Sequence, residues 1–279
     1  MLSKQLVILN YMYSKYLIDV HYIETNLQSR GFSKNKIGSK EYLYSIDQDH
    51  FFHLEATKTC IERISIQETD RILDIGGGFG GPARYIADKT GATVCSIEIQ
   101  KDRYDLAKDL TNNMGLGDKV TFINDDFVNC TVPGKYTKII AFQSILHFIK
   151  KDEAIRKLSE LLELNGVVYI EDYYRDRKLT KNEGEKLLET VSCPNLLAKD
   201  EYLEKLRSND IEIEEIEELT DTWKYWAENR LNKLNEQKQE DIEFYGKERV
   251  ENAIEFAKGV SELFNDGVIR GIRIVGRKK

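Results

Sequence analysis

The sequence predicts an α/β protein: a doubly wound, mainly parallel sheet whose last strand runs antiparallel, covered by a helical cap. Three observations carry this reading. Between residues 71 and 171, short apolar runs alternate with helical patterns, the signature of βαβ units. A glycine run, Leu73-Asp74-Ile75-Gly76-Gly77-Gly78-Phe79-Gly80-Gly81-Pro82, joins the first apolar run to the first helical one. The chain then closes on a helical stretch followed by an apolar run at 268–276, the order needed to insert a final antiparallel strand into a mixed sheet.

Taken in order, the apolar stretch at 6–17 is interrupted by Asn10, Ser14 and Lys15 and lacks a small-residue cleavage site, so it reads as a packed helix and not a signal peptide. The core follows as strand 71–75, helix 81–89, strand 93–97, helix 101–114, strands 120–123 and 138–142, helix 152–162 and strand 166–171. Past Asp172 come a polar helical stretch, a strand at 211–216, long charged helices from 222 to 264, and the closing strand. Three parts result: a helical cap at 1–64, the α/β core at 65–175, and a second cap segment with the closing strands at 176–279.

A chain of 279 residues can bury a sizeable core. No stretch approaches the roughly 18 apolar residues of a membrane helix, which predicts no membrane insertion. Cys60, Cys95, Cys130 and Cys193 lie far apart without a C-x-x-C pair, which argues against a zinc site or disulfide framework and suits a reducing, cytoplasmic setting. A formal charge of -7 gives no broad footprint for nucleic acid, so a small molecule is the expected partner. The charged run at 229–243 reads as a solvated helix face, and such an extended helix offers a surface for a homodimer.

The glycine run follows a strand and opens a helix, the context in which such a loop can hold a ligand against bare backbone. Its letters also satisfy G-x-G-x-x-G through Gly76, Gly78 and Gly81, so a dinucleotide cofactor and an oxidoreductase have to be weighed. Glu98, ending the second strand, can accept from ribose hydroxyls of either adenosine cofactor. Asp74 before the glycines, the Asp125-Asp126 pair after the third strand and the late-completed sheet favour a sulfonium cofactor instead. Asp74 can orient a methionine ammonium, Asp126 can accept from an adenine amino group, and a pyrophosphate would meet repelling carboxylates.

The segments LDIGGGFGGPARY, SIEIQ, DDF and QSILH together resemble the class I S-adenosylmethionine-dependent methyltransferases, whose sheet is Rossmann-like and seven-stranded. Within them the chain is most similar to the small-molecule group of sarcosine/dimethylglycine, phosphoethanolamine and sterol methyltransferases. The resemblance runs from about 55 to 175. It implies cofactor contacts at Asp74, Gly76, Gly77, Gly78, Glu98, Ile99, Gln100, Asp126, Phe127 and Gln143.

On the acceptor side, His147 follows the fourth strand, where open α/β sheets place ligands, and the resemblance implies that it is the catalytic histidine of an ILH run. A base is needed if the acceptor is an ammonium, and nitrogen is the expected acceptor atom, as in glycine-betaine-type N-methylation; carbon methylation of a sterol or other lipid is the main rival. Where the phosphobase enzymes carry an aspartate, this chain has Gln143, and 190–197 lacks their phosphate-holding tyrosines and arginine. Asp172 and Tyr173 end the fifth strand at the same mouth, Tyr173 as a second catalytic candidate and Asp172 as an acceptor contact. His50, with His53 at i+3, is read as an acceptor contact and not a metal ligand. Trp223 and Trp226 are candidate walls for a methylated ammonium through cation–π attraction.

Overall fold

The computed structural model describes residues 18–279, and the helix expected at 6–17 lies outside them. Seven strands form one sheet: β1 (Arg71–Ile75), β2 (Thr93–Ile97), β3 (Val120–Ile123), β4 (Tyr136–Phe142), β5 (Leu162–Tyr174), β6 (Ile211–Glu218) and β7 (Arg270–Lys278). Their order is β3-β2-β1-β4-β5-β7-β6, with β7 antiparallel to both neighbours, as the sequence predicts. β5 is longer than the expected 166–171, because Tyr173 and Tyr174 stay paired with Gly271 and Arg270 at the mouth of the sheet.

Period-two alternation explains how both faces are covered. Ile72, Val94, Ile140 and Tyr169 point to one face, where α1 (Val20–Ser29), α2 (Lys40–Ile46), α3 (Leu54–Arg63), α4 (Gly81–Thr90) and α5 (Lys101–Asn113) bury Ile23, Leu43, Cys60, Ile86 and Leu110. Leu73, Ile139, Ile170 and Ile274 point to the other, against Ile155 and Leu158 of α6 (Lys151–Leu161). Two further helices precede β6: α7 (Lys181–Val191) and α8 (Lys199–Arg207), the latter adding Leu203 and Leu206 to that second face. Edge strand β6 carries glutamates along IEIEEIEE, of which Glu217 pairs with Arg63 and Arg273 and Glu214 with Arg277, a charged edge that resists further strand addition.

The long helical stretch expected at 222–264 is three helices: α9 (Thr220–Glu236), α10 (Lys238–Tyr245) and α11 (Lys247–Asn265). Gly246, at φ +89°, breaks the run before α11, a conformation an L side chain rarely adopts. α9 and α11 bury Trp223, Ala227, Val260 and Leu263 with Phe51 and Tyr173 in a cluster over the carboxyl ends of the strands. No helix among the described residues is long and apolar enough to cross a membrane.

Candidate active site

Parallel strands aim their carboxyl ends at one edge, and the first turn there is glycine for two separate reasons. Gly76 and Gly77 N–H both donate to the Ile97 carbonyl at the end of β2, at 2.9 and 3.0 Å. Gly76 has φ +76°, and a Cβ on it would lie 2.6 Å from Ser144 Cβ. On Gly77 a Cβ would lie 1.7 Å from Ser96 Oγ and 2.6 Å from Asp74 Oδ2. The turn is thus both geometrically constrained and stripped of side chain where it floors a cleft of about 790 Å³.

Asp74, Gly76, Gly77, Gly78, Glu98, Ile99, Asp126, Phe127, Gln143, His50 and His147 all line this cleft. Glu98 is held by two backbone donors, Gly78 N–H (2.9 Å) and Gln100 N–H (2.7 Å), which fix the carboxylate at the cleft wall. Asp74 accepts from Ser96 Oγ at 3.0 Å; burial, with the nearby Glu98 charge adding to it, pushes its carboxyl up to about 7. Asp126 accepts from Val128 N–H and Asn129 Nδ2 at 3.0 and 2.8 Å, so its carboxylate is oriented before any ligand arrives. Gln100 stands outside the lining and instead starts α5.

These residues fit S-adenosylmethionine. Gly76 and Gly77 line the cleft with bare backbone, Ser144 Oγ is buried without a hydrogen-bond partner among the described residues, and Glu98 is preset where ribose hydroxyls could donate. Asp47 and Asp49 also line the cleft but are neutralised by Arg84 (2.8 Å) and Arg103 (2.7 Å). The remaining carboxylates, Asp74, Glu98, Asp125 and Asp126, leave a wall that suits a cationic amino-acid portion and repels a pyrophosphate.

His147 sits on the 3₁₀ turn Ile145–His147, clamped from two sides. Lys151 Nζ donates to the carbonyls of Leu146 and Phe148 at 2.8 Å each, and to Asn195 Oδ1 at 2.9 Å. From the other side Asp172 accepts from the Tyr173 N–H (2.8 Å), the Tyr202 hydroxyl (3.0 Å) and the Leu146 N–H. His147 Nδ1 lies 3.3 Å from the Ser192 carbonyl. A carbonyl only accepts, so Nδ1 carries the proton and Nε2 is the basic nitrogen. Desolvation lowers His147 to about 4, so the ring is neutral at physiological pH and a weaker base than a solvated imidazole.

His50 stacks on Phe142 (4.5 Å between ring centres) and is lowered by burial to about 3. His53 Nδ1 is 2.7 Å from the Gln48 carbonyl, so the two imidazoles are engaged separately. Among the described residues no group of three or more His, Cys, Asp or Glu side chains is placed to hold a metal ion. Gln143 leaves β4 at φ +48° and accepts from the Phe51 N–H at 3.2 Å, tying segment 47–53 to the sheet. Tyr173 and Trp226 line a second cavity that shares Asp49, His50 and Gln143 with the first.

Two expected acceptor contacts are placed elsewhere. Asp172 is one residue out of phase with Tyr173 along β5, so it turns to the α8 side and supports the His147 turn from behind. Trp223 is 1% exposed and stacks flat on Phe51 at 4.7 Å, a core residue behind the cavity wall. Sequence reasoning missed Arg103, Asp49 and Ser144. Arg103 had one readable sign: an arginine in the first turn of the helix after Glu98, which here also lies 4.4 Å over the Phe79 ring.

Comparison with known proteins places this geometry. The mycolic acid cyclopropane synthetase family model matches residues 53–274. A methyltransferase of Streptomyces halstedii, GfsG, is 30% identical over 117 residues, 42% of each chain, so the match spans less than half of that relative's length. The phosphoethanolamine N-methyltransferase of Plasmodium falciparum is 25% identical over 186 residues, 66% of this chain and 69% of that one. In fold the chain is similar to Haemonchus contortus phosphoethanolamine N-methyltransferase 2 in complex with S-adenosyl-L-methionine, with a TM-score of 0.76, 16% identity, and coverage of 92% of this chain and 60% of that one. The chain belongs to the mycolic acid cyclopropane synthetase family, among the class I S-adenosylmethionine-dependent methyltransferases.

Proposed function

We propose that this protein transfers a methyl group from S-adenosylmethionine to a small molecule held in the second cavity, with segment 47–53, α9 and α11 acting as the cap. The observation that supports it most is that the two cavities adjoin: the glycine turn, Glu98 and Asp74 on one side, Tyr173 and Trp226 on the other, with Asp49, His50 and Gln143 lining both. When bound, the cofactor supplies an electrophilic methyl on a sulfonium.

The protein's share is alignment and proton handling. Aligning acceptor and methyl in line contributes roughly 7 to 11 kcal/mol in the best cases. Gly76 and Gly77 let the cofactor seat against backbone, Glu98 and Asp126 orient its nucleoside, and Asp74 orients its amino group. Nitrogen is our preferred acceptor atom. For an ammonium acceptor, the neutral His147, fixed by Lys151, Asp172 and Ser192, takes the proton, a contribution nearer the lower end of the usual range, about 100-fold, because burial weakens its basicity. Tyr173 lies at the acceptor cavity and orients the nucleophile. Incubation with methyl-labelled cofactor and a panel of amines, amino acids, sterols and thiols tests this reading: label should pass to an amine or amino acid. Transfer to a sterol would move the acceptor to carbon, and no transfer from any of them would make the protein a cofactor binder without turnover.

A further inference from the structure

The second cavity has a sign. Its walls are mainly apolar, with Phe51, Trp226, Phe256 and Val260 prominent, and two charged side chains reach it: Asp49 and Arg230. Asp49 is already neutralised by Arg103 at 2.7 Å. Arg230 makes no salt bridge among the described residues, and its guanidinium carbon sits 5.3 Å over the Trp226 ring at the cavity wall. The net charge offered to a ligand there is positive.

The helix position makes this charge harder to dismiss as a solvated side chain. Trp223, Trp226, Ala227 and Arg230 fall at i, i+3, i+4 and i+7 of α9 and so share its inward face. The first three are apolar or aromatic and only half-buried or buried; the fourth is a half-buried cation. Its charge is felt on a second side as well: after burial, Arg230 is the next influence holding His53 below its ordinary value, and with His53 it lines the neighbouring pocket beside Tyr22 and Lys233. A partly desolvated guanidinium with no counter-charge among the described residues is costly, and its planar fork matches a carboxylate or phosphate in two parallel hydrogen bonds.

We propose that Arg230 is the specificity determinant of the acceptor site: it holds an anionic oxygen group, carboxylate or phosphate, of an acceptor whose apolar body lies against Phe51 and Trp226. This rests on the methyl-transfer reading above. It narrows the acceptor to amphipathic anions, such as an amino acid with an apolar body, and disfavours simple amines and neutral sterols.

Trp226 is one of only two tryptophans and lines the cavity, so its fluorescence reports occupancy. The full chain, saturated with S-adenosylhomocysteine, is titrated with hexanoate, hexyl phosphate, hexanamide and hexylamine, by fluorescence and by calorimetry. We expect hexanoate or hexyl phosphate to bind at least about tenfold more tightly than hexanamide, with hexylamine weakest. Arg230→Met should erase that preference, Arg230→Lys should keep part of it, and both should leave S-adenosylhomocysteine affinity within about twofold. Whichever anion wins identifies the oxygen group. Equal binding of all four, a preference for the amine, no binding by any, or a preference that survives in Arg230→Met overturns the proposal. Failure of S-adenosylhomocysteine itself to bind would instead remove the methyl-transfer reading beneath it.

Discussion

Cofactor affinity should rise with pH through neutrality, and Asp74 is the reason. Its carboxyl is buried, accepts one hydrogen bond from Ser96 and lies near Glu98, and burial chiefly lifts it from 3.8 to about 7. The sign follows from which form is useful. A methionine ammonium is attracted by the carboxylate and not by the neutral acid, so binding favours ionisation and releases a proton at pH values below about 7. With a midpoint of about 7, the ionised fraction grows from about 0.09 at pH 6 to about 0.91 at pH 8, so affinity should improve about tenfold across that range and then level off. His50 and His147, lowered to about 3 and 4, stay neutral throughout the window and contribute no slope. Asp172 is also raised to about 7, but it faces Tyr202 on the far side of β5. The assay is a calorimetric titration with S-adenosylhomocysteine at pH 6, 7 and 8 and constant ionic strength, in buffers of different ionisation enthalpy. Asp74→Asn should bind weakly and without the slope. A flat wild-type profile, or a slope that survives in Asp74→Asn, would refute the reasoning.

Other consequences follow from the same geometry. His147→Ala should lower turnover by about 100-fold or more at saturating acceptor with cofactor affinity unchanged, and a rate within about twofold of wild type would remove the base. Gly77→Ala places a Cβ 1.7 Å from Ser96 Oγ, so calorimetry should show cofactor binding lost while the circular dichroism spectrum stays that of the folded chain. Arg84→Met leaves the fully buried Asp47 without its cation and should destabilise the fold by about 3 to 5 kcal/mol in urea denaturation. Dialysis against a chelator should leave methyl transfer unchanged.

Much of the core was legible because each strand and helix carries its own period, and because a glycine run between a strand and a helix has few other uses. Asp172 shows the limit. Both faces of β5 are buried beyond its first turn, which leaves no exposed face from which to assign direction; only the tertiary contacts show that Tyr173 lines the cavity while Asp172 meets Tyr202 on the other side. Trp223 and Trp226 differ for a similar reason: i and i+3 share a helix face and both pack on Phe51, at 4.7 and 4.8 Å, and only the further contacts of Trp223 with Tyr173 and Gly271 make it core while Trp226 stays at the cavity wall. The ties from segment 47–53 to Arg84, Arg103 and Gln143 are long-range ion pairs and hydrogen bonds that have no local pattern. Arg230 did carry a sign, a cation at i+7 on an otherwise apolar stripe, but within a charged run it reads as a solvated face.

A calorimetric comparison of S-adenosylhomocysteine and NAD on the same preparation tests most directly whether the glycine turn after Asp74 is a sulfonium-cofactor site. The expected result is saturable binding of S-adenosylhomocysteine at one site per chain, lost in Gly77→Ala, with no heat from NAD. Binding of NAD without binding of S-adenosylhomocysteine would contradict it.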